Sequence, residues 1–150
     1  MSSMTAAGSK LAISAASPAT FDATGYTALT FTTIGQVEQL GAFGGTTEVV
    51  NFQPLDGVLQ KYKGPSNSGA ISPSLAHDDQ DAGQTLLRTA ADDKSSTLYS
   101  FRVTLPNGAR RFFQARVFGY PETVGAANSM VMANPAIEIS TDVIKAPAVA

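Results

Sequence analysis

Ser96–Tyr120, STLYSFRVTLPNGARRFFQARVFGY, decides the fold class. Tyr99, Phe101, Val103 and Leu105 alternate with other residues, so they line one face of an extended strand. Pro106-Asn107-Gly108 supplies turn residues. On the return, Phe113, Ala115 and Val117 share one face, and Phe112, Gln114, Arg116 and Phe118 share the other. The pattern predicts an antiparallel hairpin. Its second face is half apolar, whereas a strand with water on that side reads polar there. That face is therefore expected to be covered, by a helix or by another subunit. RRFFQARVF, 110–118, interleaves basic and aromatic residues as binders of single-stranded nucleic acid do. The same aromatics satisfy the hairpin pattern, so a structural strand is the better reading.

Working outward, PAIEISTDVI at 135–144 predicts a last strand, with Ile137 and Ile139 alternating against Glu138 and Ser140. KLAIS at 10–14 predicts a short first strand. Asp22 can cap a turn of helix over Ala23–Leu29. Phe31–Leu40 is rich in β-branched and aromatic residues and predicts a strand. Gly35 within it predicts a bulge or a close backbone approach. GAFGG at 41–45 reads as a turn and TTEVVNFQ at 46–53 as the returning strand, so 31–53 is expected to form a hairpin. Pro54–Gly69, with two prolines and three glycines, reads as a long connection. AISPSLA at 70–76 predicts a short strand, with Pro73 favouring an edge or a bend. Over 79–91, Gly83, Leu86, Leu87 and Ala90 form one stripe and predict the main helix.

The chain has 150 residues, enough for one domain that buries roughly 70% of its unfolded surface. The expected organisation is a loose arm at 1–9, a single domain over 10–145 and a tail at 146–150. Charged residues are 15%, which leaves few charges to keep copies apart. A net charge of -2 excludes a strongly basic nucleic-acid footprint. Without cysteine there is no disulfide framework and no zinc-thiolate site. No long apolar run or signal-peptide pattern occurs, so no membrane insertion is expected and synthesis in a cytoplasm is.

HDDQDAGQTLLRTAADD, His77–Asp93, holds the single histidine and a cluster of aspartates. D-D-x-D-A-G lacks the calcium-loop spacing and its closing glutamate. One imidazole beside aspartates also lacks a second nitrogen or sulfur ligand for zinc. A helix start explains the cluster better: Asp78 or Asp79 as cap, Asp81 in the first turn, Arg88 toward the other end. His77 is expected at the surface or on an edge strand. No metal or other cofactor is expected. GAFGG lacks the lysine and following helix of a phosphate loop, and no serine sits in a nucleophile elbow. These residues do not point to an enzyme.

The order of short motifs carries more. Phe21-Asp22…Gly25-Tyr26…Leu29-Thr30-Phe31 leads into Ile34-Gly35-Gln36-Val37-Glu38, then Gly41-Ala42-Phe43-Gly44. Lys61-Tyr62-Lys63-Gly64 and Gly69 follow. Asp78-Asp79…Asp81-Ala82-Gly83-Gln84 then opens a helix ending at Ala90-Ala91. This series, over about residues 20–145, resembles the major tail (tail tube) proteins of bacteriophages with long, noncontractile tails. The resemblance implies a mainly β fold, a β-sandwich or half-barrel with one flanking helix. It implies hexameric rings stacked into a tube, their sheets joined into a continuous barrel. It also implies a place in the virion tail, passage of DNA on ejection, and the tape-measure, tail-terminator and tail-tip proteins as partners. Phe43, Leu55, Val58, Leu59, Tyr62 and Lys63 become candidates for contacts between rings. Glu38 and Glu48, with Gln36, Asn51 and Gln53, become candidates for the lumen, while Val37, Val50 and Phe52 would face the core. Alternative readings are the tube of a contractile tail or type VI secretion system, and a small-molecule-binding β-barrel.

Overall fold

The computed structural model describes residues 4–147. The outermost parts of the expected arm and tail, 1–3 and 148–150, lie outside the described residues. In chain order the elements are β1 (Lys10–Ser14), α1 (Ala23–Thr27), β2 (Thr32–Ile34), β3 (Val37–Gln39), β4 (Thr46–Phe52), β5 (Gln60–Asn67), β6 (Ala70–Ile71) and β7 (Ser74–Ala76). Then come α2 (Ala82–Asp92), β8 (Tyr99–Thr104), β9 (Arg110–Gly119), β10 (Glu122–Thr123), β11 (Met132–Ala133), β12 (Ala136–Ile139) and β13 (Ile144–Ala146).

The 96–120 hairpin is present, with Phe101 opposite Phe113 and Tyr99 opposite Ala115. Its turn uses Gly108 at φ 91°, a conformation open to glycine. Around it a seven-stranded antiparallel sheet forms in the order β2-β1-β8-β9-β12-β6, with β13 also on β9. A second sheet runs β10-β11-β7-β3. Leu11, Phe101, Phe113 and Ile137 from the first sheet meet Leu75 and Ala133 from the second, and Leu87 and Ala90 of α2 close the same core. The result is a sandwich with a helix on its flank, as expected.

The second face of β9 is covered at Phe112 and Gln114, whereas Phe118 on the same face is 66% exposed. Tyr26 and Phe112 are fully buried and stack with ring centroids 5.2 Å apart, with Phe31 tilted against the same ring. The α1 segment therefore covers Phe112, while α2 covers the first face. Asp22 caps α1 by accepting from the Gly25 N–H at 2.8 Å. The expected last strand is divided into β12 and β13, and Ala146, placed in the tail by sequence, is buried in β13.

Two expectations fail for one reason. The 31–40 strand does not continue into a hairpin with 46–53, because it changes sheets at Gly35–Gln36. β2 pairs with β1, and β3 pairs with β7. Gln36 takes φ 61°, and its carbonyl accepts from Ala76 N–H at 2.9 Å. β4 pairs instead with β5, from Thr46 opposite Asn67 to Phe52 opposite Gln60. Much of the expected Pro54–Gly69 connection is thus a strand, with a register shift at the Gly64-Pro65 step.

Candidate assembly interface

The acidic stretch resolves into a helix start whose cap is Asp81, not Asp78 or Asp79. Asp81 Oδ2 accepts from Gln84 N–H at 2.9 Å and from Gly35 N–H at 3.0 Å. Asp78 accepts from Gln80 N–H at 2.9 Å, and Asp79 meets His77 Nε2 at 2.7 Å. Each aspartate is engaged locally, and the three do not converge on one point. The His77 side chain is only 15% exposed, with Nδ1 3.6 Å from Glu122, so it is neither a surface residue nor on an edge strand.

Gln84, which its sequence context does not mark, is the hub of this corner. Its side chain is fully buried. Nε2 donates to Gly35 O and Ala76 O, both at 2.9 Å. Oε1 accepts from Asp78 N–H at 2.9 Å and from Tyr120 Oη at 3.2 Å. The amide thus uses its full bonding capacity. It ties α2 to the place where the chain changes sheets.

The conspicuous free element is the β4–β5 arm. It forms a two-stranded sheet of its own, and every residue of β4 is exposed. An isolated hairpin of this kind is marginally stable in water. Val50, Phe52 and Tyr62 lie on one face, with Val50 directly opposite Tyr62. Asn51, Lys61 and Lys63 lie on the other. Val50 is 47% exposed, Phe52 56% and Tyr62 56%, while Leu55 and Val58 stand free at the tip. A monomer's surface rarely concentrates exposed apolar side chains in this way.

The candidate residues divide accordingly. Leu55, Val58, Leu59, Tyr62 and Lys63 all belong to the arm. Phe43 does not: it packs at the core margin, with its ring centroid 6.3 Å from that of Phe113. The lumen candidates are not brought together. Gln36 is at the sheet change, and Glu38 is exposed on β3. Glu48 alternates in step with Val50 and Phe52, so it shares their face, while Asn51 points the other way. Gln53 folds back at the tip, donating to Pro54 O at 2.8 Å and Gly57 O at 2.7 Å. Val37 does pack on the core, but Val50 and Phe52 do not. The expected alternation assumed a hairpin that does not form.

The fold is a two-sheet β-sandwich with a flanking helix and a two-stranded apolar arm. The chain belongs to the phage tail tube proteins: the family model described as phage tail tube protein, TTP, matches residues 7–143. Its role is structural, in the tail tube of a bacteriophage virion. Family membership carries self-association and association with other tail components. Its fold is shared by a chain in the cryo-EM structure of the anti-feeding prophage (AFP) baseplate, 6-fold symmetrised, at TM-score 0.73 and 9% identity, covering 98% of each chain. No curated protein matches the chain in sequence. No helix among the described residues is long and apolar enough to cross a membrane.

Proposed function

We propose that the chain closes into hexameric rings that stack into a tail tube through which DNA leaves the virion, with the β4–β5 arm as a principal contact between subunits. The observation that carries this reading is the arm itself: a two-stranded sheet with exposed apolar residues that gains little by standing alone. The six-fold symmetry of the baseplate structure of like fold supports six as the ring number. Joining sheets across subunits removes unpaired strand edges, and a ring of many strands leaves an open channel. The channel would hold a tape-measure protein before ejection. Terminator and tail-tip proteins would bind the two ends, and synthesis would take place in the bacterial host cytoplasm.

Arm excision tests the proposal. The arm's ends are adjacent, since a Cβ on Gly69 would lie 2.7 Å from Gly44 O. Joining Gly44 to Gly69 through a short glycine linker should leave a folded monomer that forms no rings or tubes under negative stain. Normal tubes from this variant would refute the arm's role. Glu38, exposed on β3, is the better lumen candidate of the two glutamates, since Glu48 shares the arm's apolar face with Val50 and Phe52; a carboxylate wall would repel phosphates. Glu38→Lys should leave tubes intact but slow DNA ejection, most at low ionic strength. Unchanged ejection across salt concentrations would remove Glu38 from the channel.

A further inference from the structure

Among the described residues, two clusters of like charge lack any lysine–carboxylate or arginine–carboxylate pair, and their signs are opposite. The ion pairs among the described residues are those of His77. On the sheet face turned away from α2, Lys10, Thr104 and Arg110 are direct cross-strand neighbours. Arg102 lies in the next row, opposite Phe112. Arg102 Cζ sits 4.9 Å from the Phe31 ring centre, and Arg110 Cζ sits 5.5 Å from that of Phe112. The Nε of each arginine is buried without a hydrogen-bond partner. Burial first, and then the nearby Arg110, holds the Arg102 guanidinium below its ordinary range. Aromatic faces orient these cations but do not neutralise them.

The opposite sign gathers beside the N-terminal end of α2. Asp79 and Glu122 flank His77, with side chains 78% and 43% exposed, and Asp78 adjoins Asp79, its N–H bonded to Gln84. Arg88, with Cζ 5.7 Å from the Tyr120 ring centre, stands at the same corner, and the three carboxylates outnumber it. Exposed Val124, Met130 and Val131 border the acidic edge.

We propose that the Lys10–Arg102–Arg110 patch of one subunit docks on the Asp79–Glu122 edge of a second copy of this chain. The inference rests on the self-assembly reading above and assigns it a second contact, separate from the arm. Charge complementarity selects the occupant. Both clusters repel themselves in the isolated subunit, and each supplies what the other lacks. Because different surfaces meet, the contact is heterologous, the kind that generates rings when the rotation closes.

Charge reversal tests it. Lys10→Glu with Arg110→Glu makes both surfaces acidic, and Asp79→Lys with Glu122→Lys makes both basic. Arg102 is left in place because it is the more closely packed of the two, 4.9 Å from its ring centre against 5.5 Å for Arg110. Assembly is followed by sedimentation at low ionic strength, with folding checked by circular dichroism. Each double variant should raise the concentration for half-assembly at least about tenfold. An equimolar mixture of the two should assemble again, since acidic and basic subunits can alternate. Either double variant assembling like the parent, while the arm-excised chain does not, would overturn this contact and leave the tube reading standing. Loss of DNA retention with unchanged assembly would assign the cations to phosphates and overturn it too. A parent chain that never self-associates would remove the tube reading, and this inference with it.

Discussion

The Asp81 carboxylate accepts from the Gly35 N–H at 3.0 Å across 46 residues of sequence. One side chain both starts the main helix and fixes the place where the chain leaves one sheet for the other. A Cβ on Gly35 would lie 2.6 Å from Asp81 Oδ1, so the contact needs glycine there. Asp81→Ala should therefore lower stability by about 2 kcal/mol, a helix cap plus a long-range bond. Asp79→Ala, which loses an exposed contact with His77, should cost about 0.5 kcal/mol or less. Urea unfolding of both variants checks the order. Equal losses would deny Asp81 its double role.

Gln84→Leu should be more damaging than its small change in volume suggests. It leaves the carbonyls of Gly35 and Ala76 without the donor they now have, and the Asp78 N–H without its acceptor. Unpaired buried groups of this kind cost about 1–3 kcal/mol each, so a total loss of about 3 kcal/mol is expected, partial hydration reducing the sum. Amide exchange near Gly35 and Ala76 should quicken in the same variant. A stability within ~1 kcal/mol of the parent would show that the corner holds without the amide.

Gly83 lets α2 approach β2 closely. A Cβ there would run into the backbone of Thr33 and Ile34. Alanine normally favours a helix over glycine by about 1 kcal/mol. Here Gly83→Ala should instead destabilise, by about 1–3 kcal/mol, because α2 must move off β2. Thermal unfolding gives the sign directly, and a stabilised variant would contradict the packing.

The Asp22 carboxyl is held below its ordinary range, first by the Gly25 N–H and then by the Thr20 hydroxyl. Its bonds favour the ionised form in the folded state. The stability it contributes is therefore present above the unfolded value of about 3.9 and is lost as pH falls through the lower folded value. Asp22→Asn should flatten that acid limb while changing little at neutral pH. Unfolding midpoints between pH 2 and 6 in the two proteins measure the difference. Identical acid limbs would show that the cap does not titrate with folding.

The sequence carried the central hairpin, the first strand, the α1 cap and the main helix, because each is written in local periodicity or turn chemistry. Alternation in Tyr99–Val103 and Phe113–Val117 needs no distant partner to be read. Gly35 was legible as a close approach, though what approaches it was not. The order of weak motifs also carried the tail tube family, since spacing along a chain survives where individual residues are ambiguous. Tertiary structure alone decided the rest. The Phe31–Leu40 run looks like one strand, yet long-range bonds from Asp81 and Gln84 turn it from one sheet into the other. That turn frees 46–52 to pair with 60–67, inside a stretch whose prolines and glycines read as loop. Pairing partners and side-chain faces depend on contacts many residues apart. A single strand's pattern states that a face is apolar, but the folded chain settles what lies against it.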